Sequence, residues 1–290
     1  MTYIDLESKI SELITPEDFL ADIQMSAQET RGLIIFEGPD DLHLMRHHFD
    51  TYMLPMYAGG KDNIKKLIDK INSKNSFPLL FIVDRDFDSV LSQEIKHENV
   101  LITDNHDLVM DFILSNEQLI DSLIEISITA GRPFTFRNIN IARIKERAFT
   151  YADYATCIRY AMVNNLIPPQ TFKKFSFKSC PENPTLLDVC HVYSSKSDNF
   201  PAAEKISVTV ESIYRDYFQF GKSLIGDHLF ISALGHSINI ENGLKTSTDK
   251  IKNHLFSNSN HNNIGKINIY KNIKLWFIEN YSINPFKEYC

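Results

Sequence analysis

The sequence predicts an α/β fold, a mostly parallel sheet flanked by helices, with a mainly helical C-terminal extension. Three observations carry this. Short apolar runs alternate with helical patterns through residues 33–115, as βαβ units require. The runs are continuous rather than alternating, which fits strands buried on both faces. Three of them run directly into acidic loop segments.

The elements follow in order. Ile4, Leu6, Ile10, Leu13 and Ile14 recur at helical spacing, and Thr15-Pro16-Glu17 reads as a helix start with Thr15 as N-cap and proline at the first position. Leu33–Phe36 is the first strand and stops at Glu37-Gly38-Pro39-Asp40-Asp41; Leu42–Tyr52 is expected to be helical. Met53–Ala58 is the second strand, interrupted by Pro55 and closed by Gly59-Gly60-Lys61. Asp62–Asn72 places Ile64, Leu67, Ile68 and Ile71 on one helix face and lysines on the other. Leu79–Val83 runs into Asp84-Arg85-Asp86-Phe87-Asp88, and Val100–Ile102 into Thr103-Asp104-Asn105-His106-Asp107, with a helical pattern to about Ser127. Segments 143–165 and 200–238 read as helical, Ser257–Asn263 as a surface loop, and Trp276 and Phe277 as anchors of the last segment. The expected domains are 1–130, carrying the sheet, and 131–290, mainly helical.

Composition narrows the class. The 290 residues are 43% hydrophobic and 23% charged, which excludes a disordered or fibrous chain. No apolar run approaches the roughly 20 residues of a membrane helix, and the first residues lack a basic region followed by an apolar one. A soluble, cytoplasmic protein is expected, with no membrane partner. The cysteines at 157, 180, 190 and 290 form no C-x-x-C pair and read as unpaired thiols.

Charge is distributed unevenly. Residues 1–120 are net −12, 121–240 net +2 and 241–290 net +3. A uniformly basic nucleic-acid binder is excluded. The pattern suits carboxylates that hold metal in the first part and basic groups that meet a polyanion elsewhere. Arg132, Arg137, Arg143, Lys145, Arg147, Lys173, Lys174 and Lys178 are the expected substrate-facing set.

Position gives the acidic residues their meaning. Parallel strands end on one edge, where open α/β sheets bind ligands. Glu37, Asp84 and Asp86, with Asp88, Asp41, Asp104 and Asp107, can therefore converge. Crowded carboxylates either protonate or take up a cation. Oxygen ligands select Mg2+ or Mn2+, and two such ions about 4 Å apart support phosphodiester hydrolysis.

The stretches LIIFEGPDD (33–41) and LLFIVDRDFD (79–88) resemble the two signature blocks of the TOPRIM domain of topoisomerases, primases, recombination-repair proteins and overcoming-lysogenization-defect nucleases. The resemblance assigns the catalytic glutamate to Glu37 and metal-binding aspartates to Asp84 and Asp86, with Asp88 extending the motif and Asp41 a further ligand. Tyr57–Asn63 and Thr103–Leu108 are similar to small TOPRIM effectors paired with an ABC-type ATPase in PARIS-type anti-phage defence. Phe220-Gly221-Lys222 resembles the late G-K segment of the overcoming-lysogenization-defect nucleases, which nominates Lys222 as a catalytic lysine. Lys61 is a second lysine candidate against a surface role, and His106 is expected to cap its helix.

The resemblance implies an Mg2+-dependent (or Mn2+-dependent) nuclease. It would be a toxic effector held by an ABC-type ATPase sensor and would cleave host RNA, tRNA first, to arrest growth, with a homodimer as a further partnership. A DNA endonuclease and an inactive TOPRIM binding scaffold are the alternatives. Asp84-Arg85-Asp86 also resembles the nucleophile motif of haloacid-dehalogenase phosphatases, although that motif sits on a first strand. No G-x-x-x-x-G-K-[ST] is present, so any ATPase activity belongs to a partner. Neither a catalytic-tyrosine domain nor the zinc-binding cysteines of primases are recognisable.

Overall fold

The computed structural model describes residues 16–288 except 27–28, 71–76, 117, 130–138, 170–175, 197–199, 219–220 and 244–245. The expected helix before Thr15, the basic residues Arg132, Arg137, Lys173 and Lys174, and Cys290 lie outside the described residues.

The first elements alternate as the apolar runs predict: α1 (Pro16–Ser26), β1 (Gly32–Phe36), α2 (Pro39–Met45), β2 (Met53–Tyr57), α3 (Lys61–Lys70), β3 (Leu79–Val83), α4 (Asp88–Leu91), β4 (Val100–Ile102) and α5 (Leu108–Leu114). The strands form one sheet in the order β2-β1-β3-β4, parallel at every pairing. The two central strands are buried along their whole length, which explains their unbroken apolar sequences. Pro55, which has no N–H for a ladder, is tolerated because β2 is an edge strand; it pairs with Ile34.

Side chains alternate across the sheet. Leu33, Ile35, Leu79, Phe81 and Val83 gather on one face with Ile23 of α1 and Ile64 and Leu67 of α3. The intervening Ile34, Phe36, Leu80 and Ile82 are equally buried. The predicted helix at 42–52 starts earlier, at Pro39, and ends in a 3-10 turn at Arg46–His48.

The chain divides into two compact units: residues 1–115 with 259–290, and residues 116–258. This differs from the expected boundary at 130. The sheet unit is discontinuous because the end of the chain returns to it. α12 (His261–Ile264) and α13 (Asn268–Tyr281) belong to it. α13 packs on β4, and Trp276 Nε1 donates to the Glu98 carbonyl at 3.0 Å. Phe286 stacks between Phe49 and Tyr270, with ring centroids 5.0 and 3.8 Å away. Trp276 and Phe277 anchor this segment as expected, Phe277 by complete burial. The Ser257–Asn263 stretch is not one loop. Ser257 ends a helix, and the Asn260 side chain caps α12 by accepting from the Asn263 N–H.

The second unit is helical, as predicted for the later part of the chain. It comprises α6 (Leu119–Thr129), α7 (Ile141–Val163), α8 (Leu186–Ser194), α9 (Ala203–Phe218), α10 (Asp227–Asn242) and α11 (Thr248–Ser257). α7 runs along α10 and also packs on α6, α8 and α9. Cys157, Cys180 and Cys190 are free and buried, and burial pushes the Cys180 and Cys190 thiols up to about 12. Among the described residues no helix is long and apolar enough to cross a membrane.

This unit corrects the predicted basic surface. Arg147 is 4% exposed and donates to Glu182 Oε1 at 2.9 Å, Glu241 Oε2 at 3.3 Å and the Ser237 carbonyl at 3.3 Å. A guanidinium satisfied inside the fold is not offered to a polyanion. Arg143 and Lys145 are also engaged, with Glu182 at 2.7 Å and Asp121 at 2.8 Å. Lys178 is exposed.

Candidate functional site

In a sheet ordered β2-β1-β3-β4 the connections leave β1 and β3 in opposite directions, so the seam between these strands at their C-terminal ends is the expected crevice. Glu37 follows β1 and Asp84 follows β3. The Asp84 N–H donates to Glu37 Oε2 at 3.2 Å across that seam. Asp41 lies in the first turn of α2, buried, and accepts the Gly38 N–H at 3.1 Å.

The loop after β3 is fastened to the loop after β4. The Arg85 N–H donates to Thr103 Oγ1 at 2.9 Å, the Asp86 N–H to the His106 carbonyl at 2.8 Å and the Leu108 N–H to Asp84 Oδ1 at 3.3 Å. Asp86 takes φ of 49°, a left-handed conformation that aspartate tolerates better than most residues. Asp107, not His106, caps α5: its Oδ1 accepts the Met110 N–H at 2.7 Å. His106 instead sets Nδ1 3.3 Å from Asp107 Oδ2 and 3.7 Å from Asp86 Oδ1, with its ring edge-on to Phe87.

The loop after β4 has its own anchor. Asp111 is fully buried and accepts from the Asp104 N–H at 3.0 Å, the Asn105 N–H at 2.7 Å and Asn105 Nδ2 at 2.7 Å. Burial nevertheless raises its carboxyl to about 6. Asp104, a predicted site residue, is exposed and accepts from Asn268 Nδ2 at 2.8 Å.

Lys61 reaches into the cluster from the first residue of α3. Its Nζ is 2.5 Å from Asp86 Oδ2 and 3.0 Å from Asp88 Oδ2, and its side chain is 12% exposed. This overturns its surface alternative. Burial alone would lower the ammonium's pKa, but Asp86, Glu37 and Asp88 hold it above the usual lysine range.

The structure thus brings Glu37, Asp41, Asp84, Asp86 and Asp88 together at one edge, with Asp107, Lys61 and His106 added. Lys222 belongs to the other unit. It lies in a 3-10 turn (Gly221–Leu224), exposed, with Nζ 3.9 Å from the Phe149 ring centroid.

Electrostatically the edge is short of positive charge. Asp84 sits well above the usual carboxylate range, first through burial and then through Asp41, Asp107, Glu37 and Asp86. Glu37 is raised by burial, an effect that Lys61 opposes and Asp86 reinforces. These are carboxyls whose ionised state needs more countercharge than the protein supplies. The donors are all oxygens, the kind taken by hard divalent cations such as Mg2+ or Mn2+; with Lys61 bound to Asp86 and Asp88, no three of these carboxylates bring oxygens within 4.8 Å of one another.

Comparison of the chain with protein-family models, with curated proteins and with solved structures gives no match in any of the three.

Proposed function

We propose that this chain is a Mg2+-dependent nuclease that hydrolyses phosphodiester bonds of RNA, with tRNA as the favoured substrate. In this reading it is the toxic effector of an anti-phage defence system, restrained by an ABC-type ATPase. The observation that carries the catalytic part is the Glu37–Asp84 pair at the β1/β3 seam. Both carboxyls are raised, first by burial, with Asp86 adding to the rise of each and Asp41 and Asp107 to that of Asp84. The biological role rests on the resemblance of the 33–41, 57–63, 79–88 and 103–108 segments to TOPRIM effectors.

Glu37, Asp84, Asp86 and Asp88 would hold the ion, with Asp41 behind them. A bound divalent ion supplies Lewis-acid polarisation of a phosphodiester and a more acidic water. The chain's own groups do the rest. Glu37, whose carboxyl burial raises above its ordinary value, would be the proton acceptor. The linked β3 and β4 loops keep the carboxylates at fixed separations.

The test incubates the purified chain and its Glu37→Ala variant with total tRNA and with plasmid DNA, in Mg2+, Mn2+ or EDTA, alone and with the co-expressed ATPase. Metal-dependent tRNA cleavage lost in the variant is the expected result. Cleavage of DNA alone converts the reading to a DNA endonuclease. No cleavage with the ATPase present, by a folded chain, leaves a binding scaffold. Lys222→Ala in the same assay reads the part played by that lysine.

A further inference from the structure

We propose that Lys61 is a built-in counter-cation that competes with divalent metal for Asp86 and Asp88, and so limits how tightly the free protein holds its ion. The proposal deepens, and rests on, the metal-dependent reading above. The ammonium lies within 3.0 Å of both carboxylates, in the place where a cation would be drawn.

Its position runs against local preference. Lys61 is the first residue of the ten-residue helix α3, whose N-terminal end carries partial positive charge and favours acids. A lysine there would ordinarily turn to solvent; this one is 12% exposed. Only its pairing with the acidic cluster accounts for both facts.

The backbone fixes the arrangement. Gly59 and Gly60 have φ of 75° and 125°, conformations that side chains resist. The Gly60 N–H donates to the Glu37 carbonyl at 3.0 Å. The turn that starts α3 is thus tied to the strand end that carries Glu37, and Lys61 is aimed from there. An ammonium and a divalent ion sharing two carboxylates repel each other, so metal entry requires the ammonium to leave. Its four-carbon stem allows that without moving the helix.

The test is Mn2+ titration of the full chain by calorimetry, with melting curves in EDTA and in Mn2+, for the wild type, Lys61→Met, Lys61→Gln and Lys61→Arg. Asp84→Asn supplies the background. Loss of the ammonium should tighten Mn2+ binding about tenfold. It should also lower the melting temperature in EDTA and enlarge the rise on adding Mn2+. Lys61→Arg should stay within about twofold of the wild type. Mn2+ binding by the wild type that is no tighter in either K61M or K61Q overturns the role of Lys61 and leaves the metal reading standing. Absence of Mn2+ binding in the wild type, K61M and K61Q overturns both.

Discussion

The backbone N–H of Asp84 is hydrogen-bonded to the carboxylate of Glu37, 3.2 Å away, so the acid that ends one central strand is held by the acid that ends its neighbour. The bond fixes two like charges at close quarters with one peptide dipole between them. It offsets only part of their repulsion, and both carboxyls stay raised.

Asp84→Asn keeps an oxygen for the Leu108 N–H and removes one buried charge. In EDTA the variant should be more stable than the wild type, because a charge that burial and the neighbouring carboxyls disfavour is gone. If the chain binds Mg2+ as proposed, the wild type should melt higher in Mg2+ than in EDTA, and the variant should lose that rise. A lower melting temperature in EDTA would mean that the Asp84 charge is already compensated.

Stability should fall as pH rises from about 4 to about 6. Asp111 is raised to about 6, so the folded chain keeps a proton that the unfolded chain has released, and stability declines across that window. Its contribution to the total change across that window is at most about 3 kcal/mol. Glu37 and Asp84, also raised, act in the same direction. Urea midpoints between pH 4 and 7 in EDTA should show the decline, and Asp111→Asn should make it shallower. Equal slopes would remove Asp111 from the account.

Much of this site was legible in the sequence because a strand end is a sharp landmark. Glu37 and Asp84 each follow an unbroken apolar run by one residue, and parallel pairing does the rest. Lys61 was harder to read, since the periodicity that defines α3 marks its first residue only as a non-core position. Asp111 was missed because an acid inside the apolar stretch Leu108–Leu114 gives no sign that it faces back to the loop before it. His106 and Asp107 are adjacent and both able to cap; only the geometry gives the cap to Asp107. The return of residues 259–290 to the sheet unit leaves no local signal at all.

Arg147→Ala should destabilise the chain by about 1–3 kcal/mol, because Glu241 and the Ser237 carbonyl lose a buried donor while Glu182, half-exposed, keeps Arg143. The salt dependence of nucleic-acid binding should not change, which separates this arginine from any phosphate contact. A folded, equally stable variant with a reduced salt slope would restore Arg147 to the substrate surface.

Gly32→Ala should also destabilise, for steric reasons. A Cβ there would meet Met53 Cε at 2.7 Å and Phe277 Cε1 at 2.8 Å. Met53 can adjust but the Phe277 ring is buried, so about 1–3 kcal/mol is expected. A denaturant midpoint equal to the wild type's would show that α13 shifts freely on the sheet.

That ring comes from the far end of the chain, which gives the protein an order of manufacture. The segment 116–258 is contiguous and can collapse as soon as it leaves the ribosome. The sheet unit has its four strands long before then, but it lacks α13 and Phe286 until the last stretch is translated. A nascent chain therefore carries the carboxylate edge on a sheet still without α13 while the 143 intervening residues are made.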